Sequence, residues 1–237
     1  MDPTGQFGVS VGWLWRSAFE LLAADGTIIL LDPFLTGNPH CPETHQAPDN
    51  VKVDIIGVTH EHSDHVGDTV ALAKRTECPI VCPVDLRPVF EEQGLPRSQI
   101  MHISFGGSIT MRGIRFSLVP ALHAGTYQAG GLVVSFPSGL NIYHAGDTGL
   151  FGDMALIRML HKPQLALLPI GDRFTMDPYQ ASLACRLFLQ PEWTIPHHYP
   201  GDYREPTDRD FVGEYRALLA DTPTTVIAPE PGQRIVF

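Results

Sequence analysis

Apolar residues in this 237-residue chain fall mostly in short runs broken by Gly, Pro and Asp, the pattern of buried strands. Phe19–Leu22 and Ile28–Leu31 flank Ala24-Asp25-Gly26-Thr27, where the Asp-Gly pair supplies the backbone freedom of a hairpin turn. Val53–Val58 is apolar apart from Asp54 and reads as another strand. Further strands are expected over 80–82, 109–111, 114–119, 131–136, 141–144, 165–169, 192–195, 225–227 and 234–237. Amphipathic stretches predict helices over 67–76, 85–93 (closed by Gly94), 150–161, 178–190 and 208–219. Asp177 is placed to cap the fourth of these, with Pro178 at its first position. Helices are interspersed among strand meanders rather than strictly alternating with strands. The expectation is therefore an α+β fold, a four-layer αββα sandwich of two mostly antiparallel or mixed sheets flanked by helices. No linker or repeat divides the chain, so one domain over 1–237 is expected.

Composition narrows the classes. Apolar residues make up 43% and charged residues 18%, as in a packed globular protein. No apolar run approaches a membrane span, and Met1-Asp2-Pro3-Thr4-Gly5 lacks the basic and apolar parts of a secretory signal, so a cytoplasmic protein without a membrane partner is expected. The net charge of −10, from 16 basic and 26 acidic residues, argues against a nucleic-acid partner. A small phosphate-bearing substrate stays open, because bound metal ions would supply local positive charge. Cys41, Cys78, Cys82 and Cys185 show no metal-ligand spacing and read as small buried hydrophobes. Homo-oligomerisation is left open.

Chemistry concentrates where Val58 runs into Thr59-His60-Glu61-His62-Ser63-Asp64-His65. His60 and His62, two apart on extended backbone, point to the same side. Asp64 and His65 follow at the mouth of a helix, where the turning chain can aim them elsewhere. Imidazole and carboxylate without thiolate suit Zn, Mn, Fe or Ni. The loop alone holds too few ligands for two metals. His123, Asp147 and the His197-His198 pair each lie just past a predicted strand, where loops can converge.

These motifs resemble the metallo-β-lactamase superfamily. Leu31–Pro39, Tyr143–Met154 and Leu168–Met176 are similar to its UPF0173 and UlaG-like branch of metal-dependent hydrolases. The resemblance implies one metal site of His60, His62 and His123, a second of Asp64, His65 and His198, and Asp147 bridging two divalent metal ions, zinc foremost. His198 is selected because the branch reads Pro-x-His-Tyr, as in Pro196–Tyr199. Asp32 would orient a ligand imidazole. Where relatives carry Gly-His-Ser, this chain has Trp15-Arg16-Ser17, and Arg16 cannot ligate a metal.

The function this implies is hydrolysis of a small-molecule ester, lactone or amide by a metal-bound hydroxide. Asp64 and Asp147 are the candidate catalytic carboxylates. Phe34, Thr36, Phe174, Met176 and Tyr199 are the expected substrate contacts, and His144, Asp172 and Tyr199 are candidates to protonate the leaving atom. Three alternatives stand beside it: a phosphodiesterase on a small phosphate ester, an iron redox enzyme, and a ligand-binding protein without catalysis. His62 speaks against the redox reading, since the di-iron oxidoreductases of the superfamily typically have Glu there.

Overall fold

Ile29 and Leu31 face one way from their strand and Leu30 the other, yet all three are buried, because the sheet is covered on both sides. The structure, a computed structural model, describes residues 3–199 and 208–237. One sheet contains β1 (Ser10–Trp13), β2 (Phe19–Leu22), β3 (Ile28–Leu31), β4 (Ile55–Gly57), β5 (Ile80–Pro83) and β6 (Ile100–Ile103) in that order. Its partner orders β7 (Ser108–Met111), β8 (Ile114–Pro120), β9 (Gly130–Ser135), β10 (Asn141–His144), β11 (Leu165–Pro169), β12 (Trp193–His197) and β13 (Thr225–Val226). The final strand, β14 (Arg234–Val236), pairs with β1 and completes the first sheet. Each sheet is part antiparallel and part parallel.

Between the sheets lie Val11, Trp13, Phe19, Leu21, Phe116, Leu118, Leu132, Val134 and Ile195. The first sheet's outer face is covered by α2 (Thr69–Thr76) and α3 (Arg87–Glu92), which bury Leu72 and Phe90 against Leu30, Ile56 and Val58. The short α1 (Ser63–Val66) precedes α2. Across the molecule α4 (Met154–His161), α5 (Pro178–Leu183) and α6 (Phe211–Leu219) cover the second sheet with Met154, Ile157, Ala181 and Tyr215. The four-layer sandwich expected from the pattern is the fold.

Local departures have physical reasons. The Asp177 carboxylate accepts from the Gln180 amide at 2.7 Å, as expected of a cap, and α5 runs on as π-helical turns through Leu189. The last helix starts at Phe211 rather than Asp208, because Asp210 caps it by accepting from Gly213 N at 2.8 Å. β1 and β6 were not expected. The apolar run of β1 is broken in sequence by Gly12, but the strand is continuous through pairing with β2 and β14, while β6 is an edge strand paired, among the described residues, with β5. The four cysteines are buried and unpaired, and burial pushes the Cys82 thiol up to about 12.

Strand direction sets up the site. β3, β4, β10, β11 and β12 run in the parallel parts of the sheets. β8 is antiparallel to β9, which is antiparallel to β10, so β8 and β10 point the same way. The loops after these strands therefore leave along one edge of the sandwich, as in other open sheets with parallel strands.

Candidate metal centre

Seven side chains meet at that edge. His60, His62, His123 and Asp147 form one group and Asp64, His65 and His198 another, each with its donor atoms within 4.8 Å of one another. The rings of His60, His62 and His123 stand edge to face, with centroids 4.6, 5.1 and 5.0 Å apart. His123 Nε2 lies 3.2 Å from His62 Nδ1. Asp147 stands between the groups, with Oδ1 3.3 Å from His65 Nε2 and Oδ2 3.7 and 3.3 Å from Nε2 of His123 and His198. Asp64 Oδ2 is 3.5 Å from His198 Nε2.

Local sequence explains how these side chains are aimed. His62 precedes α1, which brings Asp64 and His65 round toward His198 and Asp147 while the His65 ring stays 4.0 Å from that of His60. Gly67 ends that turn at φ 41°, and a Cβ there would lie 2.3 Å from the Pro33 carbonyl oxygen. Gly146, at φ 59°, lets Asp147 approach, since a Cβ would lie 2.7 Å from Thr59 Oγ1. His198 has φ 58°, which breaks the strand alternation and separates it from its neighbour. His198 faces Asp64 and Asp147, while His197 is buried with Nδ1 3.2 Å from Ser17 Oγ.

Beneath the ligand groups lies Asp32, fully buried in the left-handed region at φ 46°. Its carboxylate accepts from Thr59 N at 2.8 Å and Thr59 Oγ1 at 2.7 Å. Nδ1 of His65 is 2.7 Å and Nε2 of His144 2.9 Å from the same carboxylate. Asp32 thus fixes the far nitrogen of His65 and turns Nε2 toward the centre. Two other carboxylates shape the loops. Glu61 accepts from the amides of Thr126 and Tyr127, fastening the loop after His123, and Asp68 accepts from Leu35 N and Thr36 N at 2.9 and 2.8 Å. Thr59, Glu61 and Asp68 escaped the sequence reading, because nothing in their local pattern separates a loop clamp from a solvated polar residue.

Electrostatics test whether cations fit. Burial alone would raise the Asp147 carboxyl, but His198 and His65 hold it well below the usual carboxylate range. Burial likewise opposes ionisation of Asp32 and Asp64, and the neighbouring histidines overcome it in both. Burial would lower His65 and His198, yet Asp147 raises both, assisted by Asp32 for His65. Burial and the neighbouring His65 push His60 down to about 2, leaving a neutral imidazole. The carboxylates thus demand positive charge between them. Nε2 of His60, His65 and His198 and Oδ1 of Asp147 are buried without a hydrogen-bond partner among the described residues. An unsatisfied buried polar group costs on the order of 1–3 kcal/mol, and metal coordination would satisfy all four. The residues fit bound divalent cations.

Above the centre opens a cleft of about 230 Å³ lined by Arg16, His62, Asp64, His123, Asp147, Phe174 and His198. Of the expected substrate contacts, Phe174 is in its wall. Met176 is instead fully buried under the second sheet's helices, with its amide donating to the Thr148 carbonyl at 2.9 Å. Tyr199 stacks on Trp13, with centroids 5.4 Å apart. Phe34 and Thr36 belong to the loop that Asp68 pins and do not line the cleft. The three candidate proton donors are also placed elsewhere: His144 is buried on Asp32, Asp172 pairs with Arg209 at 2.9 Å, and Tyr199 lies against Trp13. No helix among the described residues is long and apolar enough to cross a membrane.

Residues 27–199 match the family model of a beta-lactamase superfamily domain. A UPF0173 metal-dependent hydrolase of Chelativorans sp. (strain BNC1) is 37% identical, over 96% of this chain and 99% of its own. The structure of Igni18, a metallo hydrolase from Ignicoccus hospitalis, superposes with a TM-score of 0.84 at 32% identity, covering 97% of this chain and 98% of that one. CmlA, a diiron β-hydroxylase from Streptomyces venezuelae, has a TM-score of 0.76 at 13% identity over 97% of this chain and 54% of its own, a likeness of fold alone. Agreement with the Chelativorans protein from end to end places this chain in the UPF0173 family of metal-dependent hydrolases, on the metallo-β-lactamase fold.

Proposed function

We propose that the protein hydrolyses a small-molecule ester, lactone or amide, with two divalent cations held by His60, His62, His123 and Asp147 on one side and Asp64, His65 and His198 on the other. The observation that carries this reading is the set of buried imidazole and carboxylate atoms, without hydrogen-bond partners among the described residues, that converge under an open cleft. Bound there, divalent cations supply Lewis acidity toward a carbonyl oxygen and lower the pKa of a water toward about 7.

The chain's own groups supply the rest. Asp147 is nearly closed to solvent, with 5% of its side chain exposed against 26% for Asp64, so Asp64 is the carboxylate that reaches the reacting atoms. It is ionised at neutral pH and can accept the proton of an attacking water. A carboxylate held this low is a weak base by itself, so its acceptance of a proton would depend on bound cations making the water acidic. Phe174 gives the cleft an apolar wall and Arg16 a cationic one. The cleft volume suits a small molecule rather than a polymer, in keeping with the acidic net charge. Four unpaired thiols agree with a reducing, cytoplasmic setting.

A panel of aryl esters, lactones, amides and phosphodiesters, run on metal-loaded wild type and Asp64→Ala, tests the reading. Carbonyl substrates are expected to turn over, with Asp64→Ala slower by about 10²–10⁴-fold. Turnover of phosphodiesters alone would replace the substrate class. Silence across the panel would favour a ligand-binding role.

A further inference from the structure

One wall of the cleft carries a cation that cannot bind metal. Arg16 belongs to the turn between β1 and β2, closed by Leu14 N donating to the Ala18 carbonyl at 2.8 Å and Ala18 N to the Trp15 carbonyl at 3.0 Å. Trp15 at φ 83° and Arg16 at φ 52° both occupy the left-handed region, which bulky residues seldom adopt. The Arg16 carbonyl accepts from His198 N at 3.2 Å and from Trp13 Nε1 at 2.9 Å. The turn is thus fastened directly to a residue of the centre. Backbone strain of this kind persists where the surroundings hold it, often at functional sites.

The side chain is equally constrained. It is 13% exposed, and its buried Nε has no hydrogen-bond partner among the described residues. Asp64 Oδ2 is 3.9 Å from that nitrogen, beyond hydrogen-bond reach. A guanidinium is planar, permanently charged and donor-only, and its best partner is an oxyanion held through two parallel hydrogen bonds. Arg16 therefore brings a largely dehydrated guanidinium, with Asp64 as a loose ion partner, to the wall of the space the substrate must occupy. Phe174, in the same cleft wall, carries the Arg173 guanidinium 4.9 Å from its ring centroid.

We propose that Arg16 binds an anionic oxygen group, carboxylate or phosphate, on the substrate, so that anionic esters, lactones or amides are taken in preference to neutral ones. The substrate preference rests on the hydrolase reading above, whereas the anion site does not.

Trp13 and Trp15, their rings 4.9 Å apart beside Arg16, provide a fluorescence reporter. Inorganic phosphate and succinate would be titrated separately into metal-loaded wild type, Arg16→Lys and Arg16→Gln, with metal content measured in each. Saturable binding of at least one anion is expected. Arg16→Gln should weaken it by roughly tenfold or more, Arg16→Lys should recover part of the loss, and the stronger anion identifies the source group. Equal affinity in Arg16→Gln at full metal content, or no binding to wild type, overturns the proposal. Loss of metal from Arg16→Gln also overturns it, by assigning Arg16 to the support of Asp64. In kinetics, p-nitrophenyl hemisuccinate should be favoured over p-nitrophenyl butyrate, and Arg16→Gln should cut that ratio of kcat/KM by about tenfold. A uniform fall in both would contradict substrate recognition. If neither ester is cleaved while anion binding still depends on Arg16, the anion site stands and the hydrolase reading is what fails.

Discussion

Asp147→Ala is expected to lower the metal content of the protein from about two ions per chain to one or fewer, and to slow hydrolysis by about 10³-fold or more. The magnitude follows from position. Among the described residues, Asp147 is the carboxylate whose two oxygens approach both groups, at 3.3 Å from His65 and at 3.7 and 3.3 Å from His123 and His198. Without it the first group is left with three imidazoles and no negative charge to offset a dication. The raised His65 and His198 also lose the carboxylate that raises them most. Elemental analysis and kcat/KM on the same preparation check both parts, with circular dichroism confirming the fold. A variant that keeps two ions and full activity would remove Asp147 from the centre.

The second large effect concerns stability. Asp32→Ala should destabilise the metal-free protein by about 3–5 kcal/mol, the cost of breaking a buried ion pair from one side. Asp32 is fully buried and is met by two donors of Thr59, by His65 and by His144, so its loss strands all of them. Metal affinity should fall as well, by roughly 10–100-fold, because His65 loses the group that orients it. The sign of the pH dependence is fixed by the pKa shift. The carboxyl lies below its ordinary value of 3.8 in the folded state, so its stabilisation is present above that pH and is lost as pH falls toward the folded pKa. Urea denaturation at neutral and acidic pH should show wild type and Asp32→Ala converging as the solution is acidified. A constant gap, or none, would show that Asp32 merely fills space.

How much of this could be read from the chain depends on what each residue's neighbours reveal. The Thr59–His65 loop announces itself, because metal-binding side chains so densely placed after an apolar strand have few other uses. His123, Asp147 and His198 were legible in a weaker way, as polar residues just past strands. Only shared strand direction brings their loops to one edge, and that is a property of topology rather than of any local pattern. Asp32 was legible through the resemblance of Leu31–Pro39, since locally it reads like any Asp before a proline.

The loop after β11 shows where sequence reasoning stops. Phe174 and Met176 are two apart and looked equivalent, but Asp172 and Arg173 adopt φ 64° and 47° and reverse the chain just before them. Phe174 is left 56% exposed in the cleft wall, while Met176 enters the core. Arg16 posed the opposite difficulty. An arginine beside a tryptophan reads first as a surface charge and second as a partner for an anionic substrate, and the left-handed turn and its bond to His198 are what bring it over the centre. Side-chain direction in turns depends on backbone angles that residue type does not fix.

The central claim is that these seven side chains together hold a pair of cations. Purified wild-type protein, loaded with zinc, freed of loose metal by gel filtration and analysed for its elements, should retain about two ions per chain. A folded preparation that retains none, or that stops at a single ion whatever the loading, would contradict the account.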